Sequence, residues 1–229
     1  NIDCEYCFYL EKEKLYPDAQ SDWRMSDEVL EKYVRQYIEA QDVPAANFAW
    51  QGGEPTLMGI PFFQSALEFQ KKYKRPGMKI QNSVQSNGTL LNDDWGTFFH
   101  DNHFLLGISI DGPEAIHDHF RFDKKGRGTF QQVLRGIEIC KKYNVEFNTL
   151  TVVQSHNGEH PVKIYDFLKN IGSTFFQFIP IVEHSDNRLM DKPLDGMIYA
   201  SEENALESNI SVSDYSIGPE QWGYFLNKV

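Results

Sequence analysis

Cys4 and Cys7 stand two residues apart in Asn1-Ile-Asp-Cys4-Glu-Tyr6-Cys7-Phe-Tyr9 and are two of only three cysteines in the chain. Thiols at this spacing can form a redox dithiol, half a zinc site or part of an iron–sulfur ligand set. No second cysteine pair is present to complete a zinc site. Farther on, Gln51-Gly52-Gly53-Glu54-Pro55 offers paired glycines, which let the backbone approach a ligand without a Cβ in the way. Their carbonyls, together with Glu54, can accept hydrogen bonds from an ammonium group. Ser109 and Asp111 add a hydroxyl and a carboxylate able to hold a ribose or another polar group, and Arg121 adds a forked donor suited to a carboxylate. Each feature also has a plainer use. Gly52-Gly53 can simply turn the chain, Asp111 can cap the turn at Gly112-Pro113, and Arg121 can make a surface ion pair.

These residues need a scaffold that brings distant segments together, and the chain supplies one by alternation. Ser26 is placed to cap a helix that starts with acidic residues, and Val29, Tyr33, Val34, Tyr37 and Ile38 give it an apolar face. A strand is expected over 47–51, a helix over 60–73, a strand over 78–84 ending at Ser86-Asn87-Gly88, and a helix over 93–101. Next come a strand over 104–110, a helix capped by Thr129 and running to Tyr143, a strand over 145–153, a helix over 160–171 and a strand over 175–182. Five strands alternating with helices form an α/β pattern with a parallel sheet or barrel. The C-terminal strand ends, where such folds place their chemistry, carry the polar and glycine-rich motifs.

Composition narrows the function. The 229 residues carry 22 Lys and Arg against 33 Asp and Glu, a formal charge of −11 that argues against a nucleic-acid surface. Three cysteines make no disulfide framework and fit a reducing compartment, so a cytoplasmic enzyme is the default. No apolar run is long enough to span a bilayer, and no membrane association is expected. From Glu183 to Val229 there are nine acidic and three basic residues and no periodicity before Gln221. Residues 1–183 are therefore expected to form the folded unit, with 184–229 an acidic linker leading into a further domain. Cys140 falls on the inner face of its helix as a small hydrophobe, and Lys124-Lys-Gly-Arg127 reads as a solvated basic loop. His117 and His119 read as solvated or turn residues, without a third metal ligand nearby.

In order and spacing, the motifs Cys4-x-x-Cys7, Gln51-Gly-Gly-Glu-Pro55, Ser86-Asn-Gly-Thr-Leu90, Ser109-Ile-Asp-Gly-Pro113 with Arg121, and Gln177–Glu183 resemble radical S-adenosylmethionine enzymes, most of all the anaerobic sulfatase-maturating enzymes. The resemblance implies a partial (β/α)6 TIM-like barrel with its first strand missing. It also implies a [4Fe–4S] cluster on three thiolates, with one iron left open for S-adenosyl-L-methionine. Cys4 and Cys7 match the second and third of those cysteines. The first would precede Asn1, so truncation at both ends and poor cluster binding by this chain are expected. By the same resemblance, Gly53 with Gly52 and Glu54 meets the methionine amino group, Gln51 lies beside the reacting centre, and Ser109, Asp111 and Arg121 hold the cofactor. Tyr6 and Val182 flank the adenine, and Tyr9 edges the substrate cavity.

The activity implied is hydrogen abstraction by a 5′-deoxyadenosyl radical from the Cβ of a Cys or Ser in an unfolded sulfatase polypeptide, giving Cα-formylglycine. Flavodoxin or ferredoxin would donate electrons. The catalytic base and auxiliary clusters belong to a C-terminal domain, so no base is named. A maturase of another ribosomal peptide, or a non-catalytic fragment, are the alternative readings.

Overall fold

The structure, a computed structural model, describes residues 1–7, 9, 24–183 and 212–229. Five strands, β1 (Ala45–Trp50), β2 (Lys79–Ser86), β3 (Leu105–Ser109), β4 (Phe147–Val153) and β5 (Phe176–Pro180), form one sheet in sequential order, each pair parallel. The sheet curls into a half-barrel. Its helices are α1 (Asp27–Glu39), α2 (Ile60–Tyr73), α3 (Asp93–Asp101), the single turn α4 (Glu114–His117), α5 (Phe130–Lys142), α6 (Pro161–Asn170) and α7 (Pro219–Leu226). The elements expected from periodicity are all present, their ends shifted by one or two residues. The short α4 was not expected.

Side-chain alternation sorts the strands into two faces. Phe48, Val84, Leu106, Ile108 and Val153 point to the helices and are buried. On that side Phe63 of α2 packs edge-on against Trp95, Phe99 and Phe104, with centroids 5.7, 6.5 and 6.0 Å away. A second cluster beneath α1 joins Leu30, Val34 and Ile38 to Phe48, Ala66 and Met78. The buried stripe of α1 is therefore Leu30-Val34-Ile38. Val29 and Tyr33, expected on that face, are exposed, because the i, i+4 series from Leu30 points more directly at β1. Ser26 caps α1 as expected, its hydroxyl accepting from Val29 N at 3.3 Å.

Residues 184–211 lie outside the described residues. The described part of the expected linker, 212–229, packs on the sheet beside β4 and β5. Ser213 N donates to Glu183 O (2.8 Å), Ile217 N to Ile181 O (3.0 Å) and Ser155 N to Tyr215 O (3.0 Å). Phe225 is fully buried against Phe178, with centroids 5.1 Å apart.

The turn after β2 is fixed by a close approach of backbones. Gly136 on α5 lies so near the Gly88 carbonyl that a Cβ there would collide with it. Gly136→Ala is therefore expected to destabilise the protein by about 1–3 kcal/mol in urea unfolding, although alanine favours helix. Gly223→Ala in α7, where nothing lies within 4 Å, is expected to be neutral or stabilising by up to about 1 kcal/mol.

Candidate active site

The cysteine segment has little regular structure of its own and is held from outside. Asp3 N donates to Phe122 O (2.7 Å) and Glu5 N to Phe120 O (3.0 Å), laying the segment alongside residues 120–123. Asn1 reaches the turn after β2, donating to Thr89 Oγ1 and accepting from Asn87 Nδ2, both at 2.9 Å. A turn, Cys7 N to Cys4 O at 2.9 Å, sets the relation of the two cysteines. Burial pushes the Cys4 thiol up to about 11, against the opposing pull of the Arg121 guanidinium.

A cavity of ≈ 320 Å³ opens at this end of the sheet, within the range that holds small-molecule ligands. Of the residues singled out from the sequence, Cys4, Cys7, Tyr9, Gln51, Gly52, Gly53, Glu54 and Ser109 all line it. Gly52 and Gly53 have φ of 111° and 50°, so a side chain at either would strain the backbone. Glu54 is buried and acts as a strut. Its Oε1 accepts from Thr56 N (3.0 Å), Thr56 Oγ1 (2.5 Å) and Ser86 Oγ (2.9 Å), and its Oε2 accepts from Asn87 N (2.8 Å). It thereby joins the end of β1 to the end of β2. Gln85 also lines the cavity and was missed in the sequence. Its Nε2 donates to Ser109 Oγ at 3.1 Å. The available signal was the polar alternation of Gln81, Ser83 and Gln85 along β2.

Tyr6, Asp111 and Arg121 do not line the cavity. They are buried beneath it. Arg121 makes a two-pronged pair with Asp111, Nε to Oδ2 at 2.7 Å and Nη2 to Oδ1 at 3.0 Å. Tyr6 donates its hydroxyl to Asp111 Oδ2, and Val152 N donates to Oδ1 at 3.1 Å. Burial alone would raise the Asp111 pKa, but Arg121 and Tyr6 outweigh it and hold the carboxyl below its ordinary value. The carboxylate thus links three segments instead of capping its own turn, and the ion pair is internal. Val182 is 62% exposed just past β5 and does not line the cavity.

His117 corrects an expectation: it is fully buried, not solvated. Its Nδ1 accepts from Asp111 N (3.3 Å), so its Nε2 donates to Thr129 Oγ1 (3.1 Å), and the Thr129 hydroxyl donates to Arg121 O (3.1 Å). Thr129 precedes α5 as expected, but its side chain serves this chain of bonds and does not cap the helix. Burial lowers His117 to about 3, so it is neutral in the fold. His119 stacks on His156 with centroids 3.9 Å apart.

Two chemical tests follow. Arg121→Met leaves Asp111 buried without its counter-charge and is expected to cost about 3–5 kcal/mol and to speed hydrogen exchange at the Asp3 and Glu5 amides. Adding Asp111→Asn should recover part of the loss. His117 takes up a proton on unfolding at any pH between about 3 and 6.5, so its contribution is complete above 6.5 and lost as pH falls through that window. The wild type should therefore lose up to about 1.4 kcal/mol per pH unit there that His117→Gln does not lose, as read by urea unfolding.

Cys4 and Cys7 give the cavity two thiols suited to iron, and among the described residues no group of three or more metal-ligating side chains is gathered. Among known proteins, the family model described as Radical SAM superfamily matches residues 1–168. The serine-type anaerobic sulfatase-maturating enzyme of Bacteroides thetaiotaomicron is 44% identical over 99% of this chain and 52% of its own length. The cysteine-type enzyme of Clostridium novyi is 36% identical over 100% of the chain and 55% of its own. The chain thus spans about half the length of these curated relatives. A solved structure described as native anSMEcpe with bound AdoMet and Kp18Cys peptide superposes with a TM-score of 0.77 at 36% identity, covering 100% of this chain and 55% of that one. Streptococcus suis SuiB bound to precursor peptide SuiA, at 14% identity and a TM-score of 0.56, shares the fold. The half-barrel, its cysteine segment and the family match over most of its length make this chain a member of the radical SAM superfamily.

Proposed function

We propose that this chain forms the cofactor-binding barrel of an enzyme that oxidises a Cys or Ser in an unfolded sulfatase polypeptide to Cα-formylglycine. The observation that carries this reading is the likeness to both serine-type and cysteine-type sulfatase-maturating enzymes, joined to one cavity that gathers the thiols, the glycine pair and Ser109. Cys4 and Cys7 would hold two irons of a [4Fe–4S] cluster. Bound together, the cluster and S-adenosylmethionine would supply the one-electron chemistry needed to take hydrogen from the substrate Cβ.

The chain's own residues bind and orient. The bare backbone at Gly52 and Gly53 lets carbonyls reach an ammonium group, Ser109 donates its hydroxyl to the ligand while accepting from Gln85, and Gln51 and Tyr9 face the substrate side. Tyr6, Asp111 and Arg121 support this floor from beneath, and Val182, outside the cavity past β5, would meet only a part of the ligand that extends beyond it. Residues 1–183 are the barrel in this reading. Residues 184–229 lead toward a C-terminal domain that supplies the base, with 212–229 as its foothold on the barrel. Flavodoxin or ferredoxin in the cytoplasm would provide the electrons.

The full-length protein, reconstituted anaerobically with iron and sulfide and then reduced, should cleave S-adenosylmethionine and convert a peptide with a Cys-x-Pro-x-Arg core, or its Ser counterpart. Mass spectrometry would read loss of two hydrogens from serine, or the same loss with sulfur replaced by oxygen for cysteine. A protein that stays colourless after reconstitution sinks the radical reading; cofactor cleavage with neither peptide changed sinks the sulfatase reading.

A further inference from the structure

Below the cysteine cavity, the concave face of the sheet carries a row of side chains that starts at Gln85 in the cavity wall and ends at Asn148 outside it. Gln85 on β2, Gly107 on β3 and Asn148 on β4 stand in one register row across the middle of the sheet. A Cβ built on Gly107 would run into Gln85 Oε1 and lie 3.2 Å from Asn148 Oδ1. Two carboxamides therefore converge over one glycine. Gly107 has no left-handed φ that would call for glycine, and glycine inside a strand weakens it. What it provides is room for close approach.

The amides are poised as well as close. Gln85 spends Nε2 on Ser109, which turns Oε1 toward Gly107. The Asn148 carboxamide, half-buried, makes no hydrogen bond with any described residue. Two hollows flank the row. Gln85 and Ser109 line the cavity beside the cysteines, while Leu105, Asn148 and Phe175 line a second hollow of ≈ 560 Å³ toward the opposite strand ends. Leu105 and Phe175 are 38% and 64% exposed, an unusual apolar floor for open surface. A chain passing from one hollow to the other crosses Gly107.

We propose that Gln85 and Asn148 clasp the main chain of the substrate polypeptide where it crosses Gly107, and that the Leu105–Phe175 hollow receives an apolar side chain next to the crossing. A carboxamide offers one acceptor and two donors, so it pairs with both the N–H and the C=O of a peptide group. Such pairing reads the main chain and is indifferent to side-chain sequence. The row is uncharged, so a peptide of either sign can lie across it. This inference rests on the reading of the substrate as an unfolded polypeptide.

The test uses the full-length, cluster-loaded protein without reductant, so that nothing turns over, and measures peptide and S-adenosylmethionine affinities separately by calorimetry. Asn148→Ala is expected to weaken the sulfatase peptide roughly three- to tenfold, the worth of one net hydrogen bond, with cofactor affinity unchanged. In a series of singly N-methylated peptides, one position should cost the wild type a similar factor and cost Asn148→Ala nothing more. Wild-type peptide affinity in Asn148→Ala overturns the clasp. So does parallel loss of cofactor affinity, which would make the row a support for the cofactor site. Failure of the substrate reading is separately visible: the wild type itself would then bind no such peptide while still binding the cofactor.

Discussion

The placement of the cysteines depends on one buried carboxylate. Asp111 ends β3, yet its oxygens bind Arg121 in the following loop, Val152 on β4 and Tyr6 in the cysteine segment. The bonds close into a ring, because Asp111 N meets His117, His117 meets Thr129, Thr129 meets the Arg121 carbonyl, and Arg121 returns to Asp111. Burying such a pair costs several kcal/mol of desolvation per ion, so its net gift to stability is small. Its value lies in arrangement. A segment without a helix or strand pays about 1–2 kcal/mol per residue to be held in one conformation, and a satisfied network of fixed geometry selects which conformation that is.

Glu54 does at the β1–β2 junction what Asp111 does at the β3–β4 junction. Each acid at the sheet's C-terminal edge accepts four hydrogen bonds from the protein and joins neighbouring segments. With Glu54 used as a strut, the cavity wall combines the glycine pair, two serines, two thiols and four carboxamides with Ile2, Tyr9 and Leu57, and Lys124 lines it as a cation. Among the described residues that line the cavity, Glu54 is the only carboxylate, and its oxygens are spent within the protein. A wall of dipoles can hold a charged ligand by orientation, without a full counter-charge that would have to be desolvated first.

Local pattern carried the fold and half of the site. Apolar periodicity located every strand and all the longer helices, Ser26 announced a cap, and Gly52-Gly53-Glu54 announced a bare backbone at a strand end. What it did not carry are the choices made at long range. Tyr6 and Asp111 are 105 positions apart, and nothing in either neighbourhood says that the tyrosine hydroxyl is spent on the carboxylate and not on a ligand. His117 looked solvated because it follows a Gly-Pro turn among polar residues, and only the return of Thr129 and Arg121 buries it. The docking of 212–229 was hidden for the same reason: the run around Phe225 reads as a helix start but not where it packs, and the partners of Ile217 and Phe225 lie on β5 and in the loop after β4.

Gln85 joins the two halves of the concave face. One end of its carboxamide is bound to Ser109 in the cysteine cavity, and the other faces Gly107, where the polypeptide is proposed to cross. The group is planar, so an oxygen held toward Gly107 fixes the nitrogen toward Ser109. That leaves the serine hydroxyl hydrogen free for an acceptor in the cavity. Turning the amide over would put its oxygen at Ser109, where the serine hydroxyl would have to donate to it, and its NH2 toward Gly107. A group bonded to Ser109 in the cavity and one bonded to the Gln85 oxygen over Gly107 would act on the same carboxamide, and linkage would make the effect mutual. Its size is bounded by the one hydrogen bond through which it passes, about 0.5–1.5 kcal/mol. A coupling of that size would favour joint occupancy without making either binding event depend on the other.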